Sequence, residues 1–203
     1  MSAASGAAPV GAPPRVKRSR DDVVAVAGRL FAARGFHGTS MRELGEALGL
    51  LGSSLYAHIG SKDELLVEII GEGAALFQAL ADEVAQAGGD PAAQLRRLVA
   101  GHIRIVVDNR DRAATYLNED RHLPDPERLR AVELRDRYEA SFRRVIEAGV
   151  EAGRFREGLD PGLAATFVLS LLNATDRWYR ADGALTPEEL ADAMYDFIVR
   201  GLS

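Results

Sequence analysis

The chain has 203 residues, 47% of them hydrophobic, which suffices for the core of one medium-sized domain and one small domain. It has no cysteine, so disulfides and thiolate chemistry are excluded and nothing indicates an oxidising compartment. The formal net charge of −5 is uneven, because residues 1–62 carry eight Lys and Arg against four Asp and Glu, whereas residues 63–203 carry 17 against 26.

Unless the asymmetry is accidental, this division of charge predicts that residues 1–62 form a basic head that attracts nucleic acid. Residues 63–203 would form an acidic body around which nucleic acid does not wrap. Residues 1–18 are expected to be a disordered basic tail, because their Ala, Gly and Pro cannot build a core. Four basic side chains at and just beyond the end of this stretch form either an arm for the minor groove of DNA or a solvated segment: Arg15, Lys17, Arg18 and Arg20.

No segment predicts secretion or membrane insertion. The N-terminus lacks a charged region followed by an apolar core, and the most apolar later run, residues 163–172, is far shorter than the roughly 20 residues of a membrane span. We therefore expect a cytoplasmic protein with no membrane association.

Residues 19–66 predict a small helical domain with a helix-turn-helix. Glycines at 35 and 49 mark the ends of its first two helices, and residues 51–58 form a two-turn helix too short to stand alone. Apolar residues recur at helical spacing between these signals: Val24, Ala27, Phe31, Leu44, Leu48, Leu50, Leu55 and Ile59. Three serine–acid pairs have the spacing of a capping box and mark helix starts: Ser19 with Asp22, Ser40 with Glu43, and Ser61 with Glu64.

Residues 67–203 predict a second helical domain that binds a ligand and mediates dimerisation. Asp90, Asp160 and Thr186 each precede a proline, which is the arrangement of a helix cap followed by a first helical residue. No stretch predicts a strand, so the fold class is all-α, with about nine helices. The helices expected from Ser61 onward are 61–87, 90–108, 111–122, 125–153, 160–180 and 186–202.

Residues 19–70 resemble the TetR-type transcriptional regulators, the tetracycline-repressor family. The residues that carry the resemblance are Phe31, Gly35, Phe36, Thr39, Ser40, Gly49, Leu55, Tyr56, His58, Ser61, Lys62, Asp63 and Glu64. The resemblance implies that residues 51–58 enter the major groove of DNA. It also implies that Thr39, Tyr56, His58 and Lys62 lie against DNA phosphates, which position a protein without reading sequence.

Two positions in the reading helix depart from the family pattern. Many relatives have Ser or Thr at the position of Leu51 and Lys or Arg near Gly52, and residues 51–58 contain no Arg, Lys, Asn or Gln to read a base bidentately. We therefore expect base reading by Ser53 and Ser54, with Leu51 against a thymine methyl and help from Arg42 and the N-terminal arm. The predicted DNA-binding residues are Thr39, Ser40, Arg42, Leu51, Gly52, Ser53, Ser54, Tyr56, His58 and Lys62.

The last two predicted helices favour a subunit interface over the alternative of a monomeric core. Residues 163–172 are apolar nearly all round and must be covered, and a second stripe follows at Leu190, Met194, Phe197 and Ile198. The family resemblance implies that such helices form a two-fold four-helix bundle. A homodimer would match two reading helices to a palindromic operator in double-stranded DNA.

The resemblance also implies an effector pocket among the middle helices. The candidate lining residues are His102, Tyr116, His122, Asn173, Arg177, Trp178 and Tyr179. Trp178 beside two arginines offers apolar surface next to an anion-binding fork, which resembles the branch of the family that senses coenzyme A thioesters of fatty-acid or sterol breakdown. The alternatives are that Trp178 is a core or interface aromatic, and that the effector is a cationic lipophile, as in efflux regulators.

Enzymatic function is not indicated. The four histidines are scattered without metal-ligand spacing, there is no phosphate-binding glycine loop, and no cofactor is expected. The sequence predicts instead a repressor that a small hydrophobic effector releases from DNA; a lipid or acyl-CoA carrier without a DNA role is the remaining alternative. Three acidic pairs are expected at helix starts or solvent faces: Asp21-Asp22, Glu119-Asp120 and Glu188-Glu189.

Overall fold

The structure is a computed structural model that describes residues 19–50, 55–56 and 59–203. The predicted tail 1–18 and five predicted DNA-binding residues, Leu51, Gly52, Ser53, Ser54 and His58, lie outside the described residues. Every regular element in the described ranges is helical, which confirms the all-α prediction. These helices are α1 (Arg20–Arg34), α2 (Met41–Leu48), α3 (Lys62–Ala87), α4 (Pro91–Asp108), α5 (Arg110–Asn118), α6 (Asp125–Glu151), α7 (Pro161–Asn173), α8 (Thr175–Trp178) and α9 (Pro187–Leu202).

The predicted start signals of the first two helices are present. Ser19 caps α1 and Ser40 caps α2. In each capping box the carboxylate three residues later accepts a hydrogen bond from the backbone N–H of the serine. Gly49 then ends α2 in the left-handed conformation, with φ 67° and ψ 28°, which glycine adopts without a Cβ clash.

The third predicted capping box is only half formed, so that prediction was wrong in part. Ser61 accepts the backbone N–H of Glu64 at 3.0 Å, as expected. The Glu64 carboxylate, however, accepts from the N–H of Gly60 at 2.9 Å and from Arg20 at 2.9 Å. The ion pair with Arg20 thus draws the Glu64 side chain away from Ser61, and it ties the start of α1 to α3. Arg20 is therefore the first residue of a helix and not part of the arm.

The proline-marked starts are confirmed, because Asp90, Asp160 and Thr186 each accept a backbone N–H of the next turn. Two predicted helices are shorter than expected. The chain leaves the helix at Asn118 and makes a 3-10 turn over Asp120–His122 before the proline that precedes α6. The helix expected over 160–180 is interrupted at Ala174, after hydroxyls in α7 bond to carbonyls one turn back, a contact that bends helices.

A short helix connects the two parts of the fold. In the N-terminal part α1 packs against α2 and against α3, around buried Phe31, Leu44 and Leu65. The body packs α3, α4 and α6 together, with α7 against α6 and α9 against α4. Helix α5 packs against both α1 and α3, so it lies between the DNA-binding part and the interior of the body. Among the helices of residues 19–50 and 59–203, none has the length and apolar character needed to cross a membrane.

Candidate DNA interface and effector site

Two of the predicted DNA-binding side chains extend from the surface. Arg42 is 84% exposed and has only a loose ion pair with Glu46, at 3.8 Å. Tyr56 is also exposed, while its neighbour Leu55 is buried and anchors the reading segment to the core. Ser40 is exposed as well, and its hydroxyl caps α2. Arg42 and Tyr56 are therefore free to contact phosphates, which is the role predicted for Tyr56.

Thr39 and Lys62 instead make bonds within the protein. Thr39 is buried, with its hydroxyl 3.1 Å from the carbonyl oxygen of Gly35. The Lys62 ammonium donates to the carbonyl oxygens of Phe36 and Thr39, at 2.9 Å each, and lies 4.1 Å from the centre of the Phe36 ring. Both side chains thus fix the loop that precedes α2. Their phosphate contacts stay predictions, which these internal bonds would have to accommodate.

The same loop contacts the body through Glu119, which was expected at a helix start or on a solvent face. Glu119 does precede the 3-10 turn, but a solvent-exposed position was wrong: Glu119 is buried, and its Oε2 accepts the backbone N–H of Phe36 at 2.9 Å. The partner lies 83 residues away, and no local pattern reveals the pair. Phe36 is therefore held on both sides, by Lys62 at the start of α3 and by Glu119 after α5.

His122 lies at this junction and not in the interior of the body. Its ring is 4.3 Å from that of His37 and 5.8 Å from that of Phe36, between ring centres. Partial burial, followed by the neighbouring charge of His37, lowers the pKa of His122. His122 consequently contacts the DNA-binding part. It is separate from the other residues that were predicted to line the effector pocket.

The interior of the body holds an aromatic cluster that includes two predicted effector residues. The ring of Phe77 on α3 lies 5.0 Å from His102 on α4, 5.2 Å from Tyr116 on α5 and 5.2 Å from Tyr138 on α6. His102 Nδ1 and the Tyr138 hydroxyl are 3.2 Å apart. Sequence reasoning missed Tyr138, whose only signal is its position one turn before the buried Phe142 on α6.

Burial keeps the His102 ring neutral and gives stability a pH dependence. Desolvation lowers the pKa of His102 from 6.5 to about 3. Below pH 6.5 this side chain is protonated in the unfolded chain but stays neutral in the folded protein. We therefore expect His102 to lower the free energy of unfolding by about 1.4 kcal/mol for each unit by which the pH is lowered from 6.5 to 3. Urea unfolding of wild type and His102→Gln across this range measures the difference. A free energy of unfolding with equal pH slopes in the two proteins would contradict the assignment.

The remaining predicted effector residues form a separate group around α8. Arg177 donates to the side-chain oxygen of Asn118 on α5 at 3.3 Å, Trp178 is half exposed, and Tyr179 donates to the carbonyl oxygen of Leu185 at 3.1 Å. Asn173, partly buried, ends α7 just before this group. A cleft of about 510 Å³ lies between α8 and the end of α1, and its charged lining residues are Arg110, Asp111, Glu119, Asp176 and Arg177.

An apolar face of α7 and α9 is open to solvent. Phe167 and Phe197 are 64% and 72% exposed, and Leu163 is about half exposed beside them. The three side chains line a groove of about 730 Å³ between the two helices. A single protein chain rarely exposes large aromatic side chains in one contiguous patch unless the patch binds a partner.

The helix-turn-helix on a separate helical body defines a DNA-binding regulatory protein. Two sequence models agree with this class: the one described as "Bacterial regulatory proteins, tetR family" matches residues 23–69, and the one described as "Tetracyclin repressor-like, C-terminal domain" matches residues 88–202. The chain belongs to the TetR family of transcriptional repressors.

Named relatives cover nearly the whole chain. The HTH-type transcriptional repressor KstR2 of Rhodococcus jostii (strain RHA1) is 31% identical over 185 residues, 91% of each chain. The TetR family regulator PfmR of Thermus thermophilus is 39% identical with a TM-score of 0.81, over 89% of this chain and 98% of that one. AibR, solved with isovaleryl coenzyme A and operator DNA, is 26% identical with a TM-score of 0.80, over 88% and 96%. The family consists of regulators and not enzymes, as predicted.

Proposed function

We propose that this protein is a homodimeric repressor that binds a palindromic operator and leaves it when an acyl-coenzyme A thioester binds in the body. The observation that carries the proposal is the buried aromatic cluster around Phe77, which contains a polar pair, His102 and Tyr138, and contacts α5 beside the DNA-binding part. The names of the relatives support the ligand class, because AibR was solved with isovaleryl coenzyme A and operator DNA.

In this proposal the dimer forms through α7 and α9. Their exposed face, with Phe167 and Phe197 at its centre, has the apolar character of a subunit interface. A two-fold axis through this face places two reading helices on half-sites one or more turns of DNA apart. The alternative of a monomeric core does not explain why both phenylalanines are exposed.

Base reading is assigned to Ser53 and Ser54, with Leu51 against a thymine methyl. Each serine hydroxyl contacts a base edge in the major groove, so we expect the double substitution to alanine to cost operator discrimination and to leave phosphate contacts intact. Affinity for the operator should fall by about tenfold, while affinity for unrelated DNA stays constant. Titrations of both DNAs at one salt concentration measure this; an unchanged ratio of the two affinities would refute the role of the serines.

The effector site divides between two groups of residues. His102 and Tyr116 contact the acyl group in the interior, and Arg177 with Trp178 contacts the anionic coenzyme A part at α8. His122, Asn173 and Tyr179 act as supporting residues at the edges of these groups. A cationic lipophile is the alternative effector, favoured by the acidic body as a whole, and a carrier without DNA binding is a more distant one.

Coupling between the two sites runs through α5 in addition to α3. One face of α5 places Tyr116 against Phe77, 5.2 Å between ring centres, and the segment after its end places Glu119 against the N–H of Phe36. An effector that rearranges the cluster therefore moves the helix that holds the DNA-binding part. It shifts the population away from the operator-binding conformation by no more than its differential affinity for the two states.

The test is a titration of labelled DNA from upstream of the protein's own gene. The purified protein is added at low and moderate salt, with and without a long-chain acyl-coenzyme A. Tight, salt-sensitive binding that the thioester abolishes supports both parts of the proposal. DNA binding that the thioester does not change supports the repressor function and contradicts this ligand class. Binding of the thioester without DNA binding at low salt favours the carrier.

A further inference from the structure

The buried pair of His102 and Tyr138 leaves one polar atom unused. Both side chains are buried, and the ring nitrogen Nδ1 of His102 lies 3.2 Å from the Tyr138 hydroxyl. The other ring nitrogen, Nε2, is buried and has no hydrogen-bond partner among the residues that the structure describes. Native proteins retain few such atoms, and each calls for an explanation.

The tautomer of His102 follows from its hydrogen bond with Tyr138. The Tyr138 hydroxyl has a single hydrogen to donate, and Nδ1 is the acceptor within reach in the described part of the chain. If the hydroxyl donates to Nδ1, the one hydrogen of the neutral ring must lie on Nε2. The ring is neutral because burial lowers its pKa to about 3. The unused atom is therefore a donor, N–H, and it requires an acceptor.

We infer that Nε2 of His102 donates a hydrogen bond to an uncharged carbonyl oxygen of the effector, such as the one in a thioester or a ring ketone. This inference rests on the proposed function and specifies how the effector is recognised. A carboxylate is excluded, since its charge would lose its hydration among the apolar rings. An ammonium group is excluded as well, because it offers donors only. The donor thus separates acyl-coenzyme A from the cationic lipophile.

A cleft that could take part of an acyl chain lies one helical turn from the pair. This cleft, of about 180 Å³, is lined by Ala81 on α3, Leu98 on α4 and Ser141 on α6, among others. These residues lie one helical turn, about 5–6 Å, from Phe77, His102 and Tyr138 respectively, on the same three helices. On each helix, the residue that lines the cleft lies closer than the cluster residue to the end of the bundle opposite the start of α3. A chain attached to the carbonyl therefore has room on the side away from the DNA-binding part.

The experiment compares two ligands that differ only in the carbonyl oxygen. An acyl-coenzyme A and the S-alkyl coenzyme A of the same chain length are titrated into the wild type by calorimetry. We expect the thioester to bind about tenfold more tightly than the thioether, as one buried hydrogen bond implies. A second pair, a keto steroid and its deoxo analogue, distinguishes a ring ketone from the thioester as the source of the oxygen.

Substitutions then assign the preference to His102. His102→Leu should bind both members of the preferred pair equally, and His102→Gln, which keeps an N–H donor, should restore part of the preference. Tyr138→Phe provides an independent variant if His102→Leu fails to fold. It frees the ring to change tautomer and should lower the preference several-fold.

The outcomes are distinguishable. Equal binding within both pairs by the wild type, or a preference that survives in His102→Leu and in Tyr138→Phe, overturns the inference and leaves the proposed function standing. If neither coenzyme A derivative binds the wild type but the ketone pair shows the preference, the thioester effector fails and the donor role of His102 stands. Absence of binding by all four compounds overturns both.

Discussion

Replacing Phe197 by Asp is expected to convert the dimer into a monomer and to lower operator affinity by about 100-fold or more. Phe197 is 72% exposed on α9, and with Phe167 it lines the groove between α7 and α9 that is assigned to the subunit interface. Arg156 and Arg200 also line the groove. A carboxylate in place of Phe197 would nevertheless lose its hydration and the packing of the aromatic ring in the buried interface, which together cost more than an ion pair contributes. A monomer then binds a single half-site and loses the avidity of two linked contacts.

Sedimentation velocity and operator titration measure the two parts of this prediction. Leu129→Asp is the matched control, because Leu129 is 62% exposed on α6 but lies outside that groove. It adds the same charge to a similarly exposed apolar site, and the dimer and operator affinity should be retained. A Phe197→Asp protein that sediments as a dimer, or a Leu129→Asp protein that does not, would show that the interface lies elsewhere.

Features that depend on a few neighbouring residues could be predicted from the sequence. The caps at Ser19 and Ser40, the glycine at 49 and the proline-marked starts all act within one helical turn, so the residues themselves specify the structure. The partial failure at Ser61 has a long-range cause, because Arg20 draws the Glu64 carboxylate away from the cap.

The parts of the site that the sequence did not reveal depend on residues far apart in the chain. Glu119 belongs to a charged pair on a short helix end, a pattern typical of a solvent face, and only its approach to Phe36 makes it part of the domain junction. Tyr138 likewise acquires its role from His102, which is 36 residues away on another helix. His102 and Tyr116 were predicted as a site by residue type, and packing around Phe77 brings them together.

Replacing Glu119 by Ala is expected to uncouple effector binding from DNA release. The Glu119 carboxylate is buried and accepts the N–H of Phe36 at 2.9 Å, so it connects the end of α5 to the loop that precedes α2. Without it, movement of α5 in response to the effector loses its direct hydrogen bond to this loop. Allosteric coupling energies typically correspond to about 5- to 150-fold changes in affinity, and we expect the effector-dependent loss of operator affinity to fall below about fivefold.

The effector affinity of the free Glu119→Ala protein should stay within about twofold of wild type, because Glu119 lies outside the aromatic cluster. Glu119→Gln keeps an acceptor oxygen for Phe36 and should retain most of the coupling. Asp192→Ala, which breaks the 2.7 Å pair with Arg96 between α9 and α4, is a control that leaves the junction intact. Full effector response in Glu119→Ala would contradict the role of this hydrogen bond and assign the coupling to α3 or to the direct packing of α5 against α1.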